Sequence, residues 1–391
     1  MDHGHFREDM LVPLLQQFVR FPSQQTDLQE TDPQVKSFIQ ECAGPMLRSM
    51  GAQFRCDPMG NLIVEVGRKD NDRSLLFVAY AMTHPAAAMQ DPFSATVIDT
   101  PAGRAVRGRG VAEQKTALAA LFGAFGEALR CGPLNGRLIL ALTTAGETGR
   151  HDAVESVMSH IEGAPDFAVI CIGTGKRVAV GNKGRVDFDV VVRGKASHSS
   201  APWNGVNAIT GASRVLAQLE HFDLRVADHP SFGAATLTAT AIDSSPKATH
   251  TVPDMVRMTF DRRVLPGEDP QAAFEAISGA IALEKPWSVE CRRGPVMHPN
   301  EIALDGPLFS KLRAAFARAG QGAPEPFYCN FALDAGYFAR KGVEAVMLGP
   351  GDVDQFHSNE ERVLVSDLVD MAKVYYGIIQ ECLSPAVGLA A

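Results

Sequence analysis

The groups in this sequence that could do chemistry are carboxylates and imidazoles set among glycine-rich turns. Glu113 lies in Gly108-Arg109-Gly110-Val111-Ala112-Glu113-Gln114-Lys115, and Glu147 lies in Thr143-Thr144-Ala145-Gly146-Glu147-Thr148-Gly149. His357 follows Gly349-Pro350-Gly351 and opens His357-Ser358-Asn359-Glu360. An isolated His is more often structural than a ligand, but one placed after a buried strand and a Gly-Pro-Gly turn is better read as a metal ligand. Glu113 brings charge and oxygen donors that can bind a cation. Gly173-Thr174-Gly175 resembles the start of a dinucleotide loop, yet it lacks the third glycine and the following helix, which makes the signal weak.

Five segments, Asp91-Pro92-Phe93, Gly108-Arg109-Gly110, Gly194-Lys195-Ala196-Ser197-His198, Gly349-Pro350-Gly351 and His357-Ser358-Asn359-Glu360, occur in one order and spacing. From about Met10 to the C-terminal helix the chain thereby resembles the dinuclear-zinc aminoacylases. These include glutamate carboxypeptidase, acetylornithine deacetylase and succinyl-diaminopimelate desuccinylase. The resemblance implies that one metal would be held by Glu113, Glu147 and His357. The second metal would need a His-x-Asp pair that falls here on Ala81 and Thr83, and an acid before the lid, where no carboxylate lies between Asp166 and Asp187. Neither Ala nor neutral Thr replaces an imidazole ligand. His84 is a candidate displaced ligand; the alternative is an ordinary loop residue before Pro85. The family's general base falls on Gly146. These absences cluster on one ion, a pattern that implies a single metal with open positions; the alternative is a dead site whose carboxylates are merely solvated. His198 matches the family His that polarises the substrate carbonyl across the dimer, and Glu113 and His198 are the candidate catalytic residues. Asn207 belongs to the same motif, and His250 stands where the family has a substrate-binding Asn. Arg263, in Asp261-Arg262-Arg263, has a guanidinium fork that matches a carboxylate bidentately; a salt bridge within its own domain is the alternative. Gly349 and Gly351 would offer backbone N–H groups to that carboxylate.

Elements must bring these segments together. The patterning predicts helices over Met10–Val19 and Asp32–Met50, strands at Leu62–Val66 and Ser74–Tyr80, and a helix from Lys115 to Leu129. Apolar runs at Arg137–Leu142 and Phe167–Ile172 then alternate with helices, as in a mostly parallel buried sheet. From Gly184 to about Glu290 the strands alternate polar and apolar, with helices at Asn207–Leu219 and Pro270–Leu283, which predicts an open sandwich with one solvated sheet face. After Pro295 the first texture returns, with a helix at Leu308–Ala319 and a strand at Ala345–Leu348. The expectation is a discontinuous α/β catalytic domain, residues 1–180 and 295–391, with an inserted α+β lid domain at 181–294. By the resemblance, the lid would make a homodimer.

Composition bounds the rest. A length of 391 residues favours two domains, and a formal charge of −8 with no long basic cluster argues against nucleic-acid or anionic-membrane partners. No apolar run reaches a membrane span and the start lacks an apolar signal core, so a soluble cytoplasmic protein is expected. Seven scattered cysteines without Cys-x-x-Cys argue against a disulfide framework and a cysteine-rich zinc site. The leading expectation is an amidohydrolase-like enzyme acting on a C–N bond of a small carboxylate-bearing substrate with at most one Zn or Mn ion. The alternative is a metal-free, non-hydrolytic descendant: a small-molecule binding protein, or a lyase or transfer enzyme using the same cleft.

Overall fold

The structure is a computed structural model, and it describes residues 6–68, 73–146 and 148–384. Glu147 therefore lies outside the described residues. The chain separates into two compact units. One comprises Met1–Gly181, Ile302–Phe327 and Tyr337–Ala391, and the other Asn182–Glu301 with Tyr328–Gly336.

The larger unit is built on the expected α/β sheet. Its strands lie side by side in the order Phe54–Cys56, Leu62–Gly67, Arg137–Thr143, Ser74–Tyr80, Phe167–Cys171, Glu344–Met347 and Val178–Asn182. Ser74–Tyr80 runs parallel to both neighbours, with Tyr80 opposite Thr143 and Ala79 opposite Cys171, and Glu344–Met347 runs parallel to Phe167–Cys171. The flanking pairs are antiparallel. Every residue of Ser74–Tyr80 and Arg137–Thr143 is buried, as strands covered on both faces must be. Thr116–Arg130 is apolar almost all round because it packs between Glu8–Arg20 and Val365–Leu383. Phe122 meets Phe18 edge to face at 5.1 Å, an arrangement worth about 1 kcal/mol beyond its buried area.

This topology positions the candidate site. Four parallel strands end at the same edge of the sheet and run into Ala81–His84, Gly146, Gly173 and Gly349–Gly351 respectively. Ligands in open α/β sheets bind outside the carboxyl ends of parallel strands, so the segments carrying the chemistry emerge where the fold can use them. Two helices depart from expectation in detail. The Asp32–Met50 stretch begins on Asp32, whose side chain caps Gln34 N–H, but it contains a π-helical turn at Phe38–Ala43. Thr116–Arg130 is likewise preceded by a π-helical turn, Val111–Lys115, which carries Glu113. Such turns recur at functional sites.

The smaller unit is an antiparallel four-stranded sheet in the order Thr236–Ser245, Met255–Val264, Gly184–Arg193, Ser288–Met297. Helices Ala208–Glu220 and Pro270–Ala280 cover one face. There Phe188, Val190, Val192, Val256, Met258 and Phe260 form a core with Val215, Leu219 and Ile277. Alternate residues Arg185, Asp187, Asp189, Arg257, Thr259, Asp261 and Arg263 fall on the other face, the solvated one that the alternation predicts. Among the described residues no helix is long and apolar enough to cross a membrane, and all seven cysteines are free thiols.

Candidate metal centre

Glu113 is held by backbone geometry. Gly110 adopts φ +81°, which a side chain would resist, and its carbonyl accepts N–H bonds from Gln114 at 3.1 Å and Lys115 at 2.7 Å. The turn leaves the Glu113 residue only 5% exposed. His357, 244 positions later in the chain, places Nε2 3.2 Å from Glu113 Oε2. Its backbone is itself left-handed, φ +60°, a conformation costing a non-glycine residue roughly 1–2 kcal/mol. The His84 ring lies against the His357 ring with centroids 3.8 Å apart and planes 14° from parallel. The structure thus joins Glu113, His357 and His84, three of the groups singled out by type and spacing.

That stacking limits what His84 can do. An imidazole lone pair lies in the plane of its ring, so two nearly parallel rings this far apart cannot both aim at one ion. His84 is a neighbour of the pair rather than a co-ligand in this arrangement. Among the described residues no group of three or more His, Cys, Asp or Glu side chains is arranged to hold a metal ion.

The positions of the other family ligands are closely packed. Ala81 and Thr83 are buried, and the Ala81 carbonyl accepts bonds from Ser23 Oγ at 2.6 Å and Lys115 Nζ at 2.8 Å. Lys115 is fully buried and sits 3.4 Å over the Phe38 ring. A Cβ on Gly146 would lie 3.1 Å from Tyr80 and 3.2 Å from Met82 Sδ. A Cβ on Gly173 would lie 2.1 Å from Ala112 O and 2.7 Å from Gly351 O.

The Gly-Pro-Gly turn serves packing first. A Cβ on Gly351 would lie 1.9 Å from Ala112 O, so the turn is pressed against the strand of backbone that carries Glu113. The Gly349 N–H donates to Thr174 Oγ1 at 3.0 Å, which takes it away from the carboxylate it was expected to bind.

In the lid, His198 is exposed and pairs with Thr251 across a two-residue ladder. Its Nδ1 accepts the Ser200 N–H at 3.2 Å, so the neutral ring carries its proton on Nε2 and presents a donor there. His250 is exposed, and its carbonyl accepts the Ser199 N–H. Arg263 follows the salt-bridge alternative: Nε and Nη2 bond the two oxygens of Asp261 at 2.8 and 2.9 Å. Asn207 caps Ala208–Glu220 by accepting the Ile209 N–H at 2.9 Å, which accounts for an Asn at this position without any ligand.

The pair that sequence reasoning missed is Arg109 and Glu361. Both are buried and joined at 3.0 Å. Glu361 also accepts the N–H groups of Gly110 and Ala112 at 2.9 Å each, while its neighbour Glu360 is exposed. Burial pushes the Glu361 carboxyl up, against the opposing pull of those amides and of Arg109. The signal was faint: Val363 is buried in a short strand, and alternation back from it turns Glu361, not Glu360, inward.

Residues 180–289 match the M20 peptidase dimerisation domain. The chain is 29% identical over 253 residues to an acetylornithine deacetylase of Myxococcus xanthus, a match covering 62% of this chain and 64% of that enzyme. It is 25% identical over 361 residues to a succinyl-diaminopimelate desuccinylase of Cereibacter sphaeroides, covering 85% and 90% of the two chains. Its fold superposes on an M20 family metallo-carboxypeptidase of Sulfolobus solfataricus with a TM-score of 0.75 at 16% identity, over 95% of this chain and 98% of that one. The chain thus carries an M20 dimerisation domain and is similar, over most of its length, to M20 deacylases of the acetylornithine deacetylase and succinyl-diaminopimelate desuccinylase type.

Proposed function

We propose that this chain is an M20-type hydrolase cleaving a C–N bond, amide or amine, in a small carboxylate-bearing substrate, with one metal ion held by Glu113, Glu147 and His357. The observation that carries the reading is the 3.2 Å separation of Glu113 Oε2 and His357 Nε2. A tetrahedral zinc with donors at about 2.0–2.1 Å sets neighbouring donors about 3.3 Å apart, so the two atoms are spaced to share an ion. A single ion is supported by the second ion's positions, where Ala81 and Thr83 bring neither imidazole nor carboxylate and no carboxylate lies between Asp166 and Asp187. A bound Zn or Mn ion would act as a Lewis acid toward the scissile group.

The remaining steps fall to the chain's own groups. Gly146 sits against Tyr80 and Met82 and supplies no base, so proton transfer falls to Glu113, His84 or the substrate itself. His198 offers its Nε2–H to a developing oxyanion. Arg263 grips the substrate carboxylate only by exchanging its present bond to Asp261. The dimerisation domain supports a homodimer formed through the lid.

A metal-free, non-hydrolytic descendant is the second reading, and one observation favours it: at 3.2 Å Glu113 Oε2 and His357 Nε2 are already close enough to pair directly without any ion. Elemental analysis of protein purified without chelator or affinity metal separates the two. Close to one equivalent of Zn or Mn per chain supports the hydrolase, and deacylation of N-acyl amino acids is then the activity to assay. Protein that is metal-free and unresponsive to added ions overturns it in favour of the second reading.

A further inference from the structure

The three groups of the candidate centre stand on a π-helical turn and two loops, and such segments by themselves do not hold side chains to the roughly 0.5 Å that a metal or catalytic pair requires. The buried Arg109–Glu361 pair touches all three. Arg109 Nη2 donates to Ala86 O at 3.0 Å, two residues after His84. Arg109 Nη1 donates to Ser358 O at 3.1 Å, next to His357, and to Glu361 Oε2 at 3.0 Å. Glu361 in turn receives Gly110 N–H at 2.9 Å on Oε2, with Ala112 N–H at 2.9 Å and Glu113 N–H at 3.4 Å on Oε1. Its own carbonyl accepts the Gly108 N–H at 3.2 Å. A carboxylate that gathers three amides at the start of the Glu113 turn fixes where that turn begins. A guanidinium that takes two loop carbonyls and the same carboxylate fixes the His84 and His357 loops relative to it.

We propose that Arg109 and Glu361 are positioning residues, a buried hub that sets the Glu113, His357 and His84 side chains in register without touching ligand themselves. The pair suits the task because each partner offers several bonds in a rigid plane. Lysine at 109 would reach fewer of these acceptors, and an amide at 361 would turn an N–H₂ group toward backbone N–H groups that need an acceptor. Removing one partner also leaves the other charge buried alone. The affinity readout below rests on the one-ion reading; the exchange readout does not.

The test compares wild type, Glu361→Gln, the milder Arg109→Lys and the exposed control Glu360→Gln in the full chain. Mn²⁺ and Zn²⁺ are titrated by calorimetry, and amide hydrogen exchange is followed by mass spectrometry. The expected result is a loss of metal affinity of about tenfold or more in Glu361→Gln and Arg109→Lys, in line with supporting residues at other metal sites, with Glu360→Gln unchanged. Exchange should rise together in peptides covering 84–86, 110–113 and 357–361, while the lid strands keep wild-type exchange. A purely stabilising role would lower the melting temperature and leave the affinity of the folded fraction unchanged, and that result overturns the proposal. If Glu361→Gln does not fold, Arg109→Lys decides by the same criterion. If wild type binds neither ion, the one-ion reading fails and the hub is judged on exchange alone: rising exchange in all three segments sustains it, and a rise confined to 110–113 sinks it.

Discussion

Replacing His357 separates the chemistry of the side chain from the strain of its backbone, because the residue combines a candidate ligand with φ +60°. His357→Ala removes the imidazole and keeps the left-handed conformation; His357→Gly removes both. The strain is roughly 1–2 kcal/mol, and glycine's extra freedom in the unfolded chain returns roughly 0.4–1 kcal/mol of it. His357→Gly should therefore be more stable than His357→Ala by roughly 0.5–1 kcal/mol. For a chain of this length, at about 2.1 cal/mol/K of unfolding entropy per residue, that difference corresponds to about 1 °C in melting temperature. Both variants lose the His84 ring contact and leave the buried Glu113 carboxylate without its 3.2 Å partner, so each should fall below wild type. Their metal affinities should drop equally, by about 100-fold or more, since a ligand is lost outright rather than merely loosened. Differential scanning fluorimetry read alongside a Zn²⁺ titration checks both halves. Wild-type affinity in His357→Ala refutes the ligand assignment, and equal melting temperatures for the Ala and Gly variants refute the strain argument.

Further outcomes follow from single contacts. Asn207→Ala removes the cap of Ala208–Glu220 and should cost about 1 kcal/mol of stability in the smaller unit, as measured by urea denaturation; an unchanged midpoint would show that the cap contributes nothing. Thiol labelling of the native protein with a disulfide reagent, read by peptide mass spectrometry, should mark Cys56 and Cys131 first. Cys329 and Cys382 are buried and pushed up to about 12, so they should label only on unfolding; fast labelling of either would show that the larger or smaller unit opens. Ala81→His should not raise metal content beyond that of wild type, because the position is fully buried among packed groups; a second equivalent by elemental analysis would contradict this.

Much of the fold was legible because burial dictates pattern. Ser74–Tyr80 and Arg137–Thr143 read as apolar runs since helices cover both faces of the sheet, and Gly184–Arg193 alternates since only one of its faces is covered. Glu113 and His357 are singled out by resemblance to the aminoacylase motifs, and the fold brings the two within 3.2 Å of each other. What could not be read is where hydrogen-bonding groups spend their capacity. The Gly349 amide looks available in sequence and is bound to Thr174; the Arg263 fork looks poised for a carboxylate and already holds Asp261. Asn207 belongs to a recognised motif and caps a helix. Two adjacent glutamates are indistinguishable as letters, yet Glu361 is buried at the centre of a network and Glu360 faces solvent. Each of these depends on a partner far away in the chain, which local pattern does not encode.

The geometry also bears on why the donors are distributed as they are. Two glycines near the candidate centre differ in how much room they leave for a side chain. Gly173 lies within reach of two carbonyl oxygens, Ala112 O and Gly351 O, and both belong to segments that frame Glu113 and precede His357. Opening room for a side chain at 173 would push those segments apart and disturb the 3.2 Å Glu113–His357 pair. Gly146 is different: its neighbours are the side chains of Tyr80 and Met82, which can shift by tenths of an ångström. A side chain at 146 would therefore be easier to accommodate than one at 173, where main chain stands in the way. If the proposed hub holds, the 3.2 Å spacing of Glu113 and His357 should depend on the buried Arg109–Glu361 pair that meets the segments carrying them.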